Sequence, residues 1–314
     1  MITPRTIKYE DAAPLVTWPE AVAALREGHA LPKAQVGDIF LGPSEGSLLS
    51  RGAFIEGLGF GVKSVTVFGA NPAAGLPTIQ GAMFMFEPEH GQLAAIIDSR
   101  IVTELKTAVD SVLGATYLAR PDCETLLIVG AGTVARSLID AYTAVFPSIR
   151  TINIWARRTE QAEALTNAVT LPGIEISAVA DLPTAAAKAD IISAATMARE
   201  PVLNAEWITP GTHVDLIGAF KADMREADDA LISSASLFVD SRDTTIHHIG
   251  ELMILIANGV ITEEAVRGDF YDLVSGSAKG RQSVDEITLF KNGGGAHLDL
   301  MTASYIAEKV TRAE

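Results

Sequence analysis

Hydrophobic positions change their spacing along the chain, and each change predicts a different kind of element. From Trp18 the run Trp18-Pro19-Glu20-Ala21-Val22-Ala23-Ala24-Leu25-Arg26 puts a proline in a first turn and spaces its apolar residues as on a buried helix face. Between Asp38 and Asp98 the runs shorten. Val65–Phe68, Ala82–Phe86 and Leu93–Ile97 favour strands, and Asn71-Pro72, Gly75, Glu87-Pro88 and Gly91 supply turn chemistry, which predicts a meander of antiparallel strands. Thr103–Leu118 returns to helical spacing and stops before Pro121, where a domain boundary is expected.

From Thr125 the order becomes strand (Thr125–Val129), glycine turn, helix (Val134–Phe146) and strand (Thr151–Trp155), the pattern of a parallel βαβ unit. Further strands are expected at Ile174–Val179, Ile191–Ala195, His213–Ile217 and Leu237–Asp240, so this part of the chain reads as an open α/β sheet.

Composition narrows the function. With 48% hydrophobic and 20% charged residues in 314, the chain is expected to fold. A balance of 24 basic against 39 acidic residues, net −15, argues against a phosphate-tracking surface and hence against nucleic acid as a partner. No run approaches the roughly 18 apolar residues of a membrane span, and Met1–Arg5 leads into no apolar signal core; a soluble cytoplasmic protein is expected. Cys123, the single cysteine, reads as a packed small hydrophobe. His29, His90, His213, His247, His248 and His297 lack metal-ligand spacing, so no metal is expected.

The glycine turn carries the strongest chemical signal. Gly130-Ala131-Gly132-Thr133-Val134-Ala135 is the G-x-G-x-x-A form, placed between an apolar strand and a helix. The first glycine permits the tight turn, the second lets backbone approach a pyrophosphate, and Ala135 keeps the helix close to the sheet. Thr196 and Ile217, at the ends of two later strands, complete the expected cofactor contacts. The second strand ends in Trp155-Ala156-Arg157-Arg158 rather than in the carboxylate that accepts the ribose hydroxyls of NAD. Two guanidiniums suit a 2′-phosphate, so NADP(H) is favoured over NAD(H); the alternative is that Arg157 and Arg158 solvate a strand end.

Several segments in order resemble the ornithine cyclodeaminase and mu-crystallin family over nearly the whole chain. They are Gly59-Phe60-Gly61-Val62-Lys63, Asn71, Gly75-Leu76-Pro77, Gly91, Asp98, Thr103 and Thr107-Ala108, then Gly130-Ala131-Gly132, Gly211-Thr212-His213, Gly218-Ala219, Arg225-Glu226, Phe290-Lys291 and Gly295-Ala296 to Asp299. The resemblance implies an α+β substrate and dimerisation domain from residues 1–118 with 297–314, and a Rossmann-type dinucleotide-binding domain from 119–296. It also implies a homodimer acting on a small amino-acid or imine substrate.

Members of the family either release ammonia from ornithine with a bound NAD or reduce imines of amino acids. Both routes move a hydride at a carbon bearing nitrogen, next to a carboxylate that must be held. Lys63 matches the family lysine near that nitrogen; a lysine desolvated beside another cation exchanges protons near neutral pH, although a strand-edge lysine is also common. Lys106 stands where the family has an arginine: it keeps the charge and loses the bidentate fork, and it is read either as a carboxylate ligand or as a helix-face lysine. Arg51 is a candidate to supply a missing fork, and Lys33 is the cation nearest to a further family arginine. Phe220 takes the place of the aspartate proposed to act on the amine in cyclodeaminases, with Asp215, Asp223 and Glu226 nearby in sequence; the alternative is that Phe220 is a packing residue that never meets substrate. That replacement favours an NAD(P)-dependent imine reductase or amino-acid dehydrogenase, with cyclic imino acids as substrates, over ornithine cyclodeaminase. A non-catalytic, NADPH-dependent ligand-binding protein is the third reading.

Overall fold

A computed structural model describes residues 3–43 and 45–313; Met1 and Ile2, where the stretch read for a leader begins, lie outside the described residues. The chain divides into two compact units, Met1–Lys106 with Gly295–Glu314, and Thr107–Gly294.

In the first unit the alternating apolar runs build one sheet. Its strands are β1 (Arg5–Ile7), β2 (Gln35–Leu41), β3 (Ser47–Ile55), β4 (Gly59–Val67), β5 (Ile79–Phe86) and β6 (Leu93–Asp98). They lie in the order β1-β6-β5-β4-β3-β2, antiparallel except for β1, which runs parallel to β6. Period-two alternation sets what β4 presents to the core: Gly59, Gly61, Lys63 and Val65 are buried while Phe60 is exposed. The helix Ala296–Arg312 packs over β3 and β4 and against the helix Trp18–His29. A side chain at Gly61 would meet Leu300 of that helix at 2.9 Å, so the glycine lets helix and strand close together over Lys63.

The second unit holds β7 (Thr125–Val129), β8 (Thr151–Trp155), β9 (Glu175–Ala178), β10 (Ile191–Ala194), β11 (His213–Leu216), β12 (Ser236–Val239), β13 (Val266–Gly268) and β14 (Thr288–Lys291). All pair in parallel, in the order β13-β12-β14-β11-β10-β7-β8-β9. Strand order reverses at β7 and β10, which makes their carboxyl ends the switch point where α/β sheets bind ligands. Strands β10, β11, β12 and β14 are buried at every position, as expected of a sheet covered on both faces.

Three strands go beyond the sequence expectations: β1, which precedes the first expected element, and the short β13 and β14, with β14 lying between β11 and β12. The division of the chain also differs from the boundary expected after residue 118: it falls within the helix Ser99–Leu118. The second half of that helix is held to the parallel sheet. Asn292 Nδ2 donates to the Thr107 carbonyl (3.1 Å) and to Ser111 Oγ (2.9 Å), and a side chain at Gly114 would strike the Phe290 ring at 2.9 Å. No helix of the described residues is long and apolar enough to cross a membrane.

Candidate active site

In the first unit, Lys63 stands on the buried side of β4 and donates from Nζ to Asp299 Oδ1 at 2.6 Å, with Thr103 Oγ1 at 3.4 Å. Asp299 lies one turn into the C-terminal helix and is 1% exposed; its Oδ2 has no hydrogen-bond partner. Burial drives the Lys63 pKa down from 10.5; Asp299 opposes that shift, and the positive charges of Lys106 and Arg51 add to it. Lys106 is itself buried. Arg51 sits directly across from Lys63 on β3, and residues so opposed share a face. Its guanidinium is engaged with Asp38 on β2, with Nε and Nη2 within 2.9 Å of Oδ2. Lys63, Lys106 and Arg51 are therefore brought together, with one buried carboxylate among them.

A histidine pair lies in the same unit. His297, in the first turn of the C-terminal helix, meets His29 edge to face at 5.5 Å. Burial holds His29 down to about 4 and His297 well below its ordinary value, and the charges of Lys106, Arg51 and Lys33 press the same way on His297. Both rings are neutral at pH 7, so they add no charge to the cationic cluster. Among the described residues no three His, Cys, Asp or Glu side chains are placed to hold a metal.

In the second unit the glycine turn has the shape a pyrophosphate requires. Gly130 has φ +120°, and a side chain there would lie 2.6 Å from the Ala195 carbonyl oxygen, so only glycine fits. Gly132 caps the helix Thr133–Val145 and has open space where a side chain would stand. A glycine cap offers no side chain to the first-turn N–H groups, which leaves them for an anion. Gly132 and Thr133 are exposed, Ala131 and Val134 half-buried. Arg157 and Arg158 follow β8, are exposed, and make no side-chain hydrogen bond or ion pair among the described residues.

Thr196 and Ile217 close the strand ends of β10 and β11. Thr196 is turned inward: its N–H and Oγ1 both donate to Glu226 Oε1 at 2.7 Å. Ile217 is buried, with its N–H on the Ala194 carbonyl. Phe220 is half exposed beneath the Lys221 ammonium, 5.4 Å from its ring centre, and so is not a core residue of its unit.

The acids near Phe220 in sequence each have partners of their own. Asp223 is exposed and paired with Arg199 at 2.8 Å. Asp215 is buried, accepts from Ser193 Oγ (2.6 Å) and Tyr142 OH (3.2 Å), and is raised by burial to about 6. Glu226 is tied to Thr196 and to Gly218 and Ala219. Asp299, Glu251 and Lys291 were given no role from sequence. The signal for Asp299 was present, since a lysine on the buried parity of β4 needs an opposite charge.

The order of the parallel sheet and its glycine turn define a Rossmann-type dinucleotide-binding fold joined to a separate α+β unit. The profile of the ornithine cyclodeaminase/mu-crystallin family matches residues 50–314, and the chain belongs to that family. It is 63% identical over 306 residues to the Delta(1)-pyrroline-2-carboxylate reductase of Paracoccus denitrificans, covering 97% of this chain and 96% of that protein. The Thermococcus litoralis Delta(1)-pyrroline-2-carboxylate reductase, solved in complex with NADH and L-proline, matches with a TM-score of 0.89 at 29% identity over 98% of each chain. An archaeal alanine dehydrogenase dimer with bound NAD matches with a TM-score of 0.91 at 30% identity, over 99% of this chain and 97% of that one.

Removing one partner of a buried ion pair costs about 3–5 kcal/mol. Asp299→Ala is therefore expected to lower the unfolding free energy in urea by an amount in that range at pH 6. The deficit shrinks toward pH 9, because the stranded Lys63 escapes its penalty by losing its proton in the folded state alone. A deficit that does not change with pH would show that Lys63 is not charged in the native protein.

Proposed function

We propose that this protein is an NAD(P)H-dependent reductase of cyclic imino acids, acting on Δ1-pyrroline-2-carboxylate or a close analogue. The carrying observation is the cationic cluster of buried Lys63 and Lys106 with half-buried Arg51, in which Lys63 pairs with the buried Asp299: it suits a substrate with a carboxylate beside a nitrogen that must be protonated. The high identity to a relative named for this reaction supports the same substrate class.

Each residue has a chemical part. Lys106 and Arg51 hold the carboxylate by charge. Lys63, as an ammonium, gives its proton to the ring nitrogen, and its lowered pKa makes that transfer easier. Asp299 keeps the ammonium oriented and charged until substrate arrives. Gly130, Gly132 and the first turn of the helix from Thr133 would hold the pyrophosphate of a nicotinamide dinucleotide, whose reduced form would supply a hydride. Overall, C=N takes up a hydride and a proton and becomes CH–NH.

Assay with pyrroline-2-carboxylate is expected to show substrate-dependent oxidation of NAD(P)H, and Lys63→Met is expected to lower kcat/KM by about 10²–10⁴-fold. Activity falls at alkaline pH as Lys63 loses its proton, below the pH of an ordinary lysine. Asp299→Asn moves that limb to lower pH, and Lys106→Met moves it higher. Ammonia release from ornithine without imine reduction would replace this reading with the lyase.

Arg157 and Arg158 support a preference for NADP(H), because both guanidiniums are exposed just after β8, the strand whose end takes the adenosine ribose in Rossmann-type folds. A hydrogen bond to a charged group contributes about 1.5–3 kcal/mol. Replacing both by alanine is therefore expected to raise KM for NADPH at least tenfold and to change KM for NADH by less than threefold. Equal effects on both cofactors would refute the preference.

The protein acts as a homodimer in this reading. Strand β2 is a sheet edge exposed along its whole length, with Ile39, Phe40 and Leu41 57%, 69% and 58% exposed. Such an edge recruits a second chain. A dimer is also the state described for the archaeal alanine dehydrogenase structure. Light scattering is expected to give twice the 33.1 kDa chain mass, falling toward one chain in Phe40→Lys. A wild-type mass of a single chain would exclude the dimer.

A further inference from the structure

Resting on the reading that the ends of the parallel strands hold the dinucleotide, the geometry points to Glu226 as a positioning residue for the cofactor. Its carboxylate ties the turn after β10 to the turn after β11. Oε1 accepts from the Thr196 N–H and Oγ1, both at 2.7 Å, and Oε2 accepts from the N–H groups of Gly218 (2.5 Å) and Ala219 (3.2 Å). The two turns are pressed together: a side chain at Gly218 would lie 1.9 Å from the Thr196 carbonyl oxygen. A fully buried carboxylate with four donors converging on it, all from strand-end turns, fixes those turns more firmly than their backbone pairing alone.

A second buried acid supports the first. Glu251 accepts from the N–H groups of Glu226 (2.9 Å) and Ala227 (3.0 Å), which anchors the segment that carries the carboxylate. Lys291 is fully buried and donates to the carbonyls of Leu216 (2.8 Å) and Asn292 (3.0 Å). Its charge stabilises the ionised forms of Glu226, Glu251 and Asp215 alike. Burial pushes Glu226 up to about 7, with Glu251 raising it and Lys291 lowering it; Arg225 acts on Glu251 in the same sense as Lys291. Only the ionised carboxylate can accept all four hydrogen bonds, so protonation loosens the turns.

The test measures NADH binding by nicotinamide fluorescence, steady-state KM for each substrate, and the melting temperature of the cofactor-free protein. Glu226→Gln presents an amide N–H to one pair of donors; it is expected to raise the NADH Kd at least tenfold while KM for the imine changes less than twofold. Wild-type affinity for NADH is expected to fall about tenfold from pH 8 to pH 6, as for a group titrating near 7, and the dependence due to Glu226 is absent from Glu226→Gln.

A folded Glu226→Gln with unchanged NADH Kd, or with the wild-type pH slope, overturns the assignment. So does a loss that falls equally on both substrates. If Glu226→Gln does not fold, Thr196→Val decides, since it removes one donor and keeps the side-chain shape: a threefold or larger rise in Kd supports the assignment and no change overturns it. A wild-type protein that binds no NADH or NADPH ends the functional reading as well, whereas normal wild-type binding with an indifferent Glu226→Gln ends this inference alone.

Discussion

Lys63 Nζ and Asp299 Oδ1 lie 2.6 Å apart out of contact with water, joining a strand near the start of the chain to the helix near its end. The pair explains several features of the first unit together. A lysine on the inward parity of β4 needs a counter-charge, and the helix must come close enough to deliver one. Gly61, two residues earlier on the same face, is the position that permits that approach. Burial and the charges of Lys106 and Arg51 favour loss of the Lys63 proton, and Asp299 opposes it.

The second unit follows the same rule with the signs exchanged. Asp215, Glu226 and Glu251 are buried acids, and Lys291 at the end of β14 is the cation whose charge reaches all three. A lysine in the middle of a fully buried parallel sheet is costly in isolation. Here its ammonium is satisfied by two carbonyls and compensated by carboxylates, each of which also collects backbone or hydroxyl donors. The polar groups that are most deeply buried are thus the ones that hold the strand ends in register with one another.

Much of this was legible in the sequence, for identifiable reasons. The strand-glycine-helix pattern around Gly130 needs only local spacing, and the structure gives Gly130 the positive φ that spacing implied. The antiparallel runs from Val65 to Ile97 also declared themselves through alternation. Strand β14 did not: four residues, Thr288–Lys291, with a lysine at one end, lack the apolar run that marks a buried strand, and the position depends on partners β11 and β12 that are distant in sequence. The division within the helix Ser99–Leu118 was hidden likewise, because it depends on which body each half of the helix touches and not on a change in the helix itself. Asp299 and Glu226 belonged to matched segments, yet their partners lie 236 residues away in one case and 30 and 8 residues away in the other. Pairing over such separations is a property of the fold.

The acids around Phe220 bear on which chemistry the fold supports. An ammonia-eliminating cyclisation calls for a carboxylate able to take a proton from an amine, and the resemblance places that group where Phe220 stands. The neighbours in sequence are each engaged elsewhere: Asp223 pairs with Arg199 at the surface, Asp215 accepts from Ser193 and Tyr142, and Glu226 accepts from four donors. Imine reduction needs one proton delivered and none removed, so the reaction proposed above calls for no carboxylate where Phe220 stands.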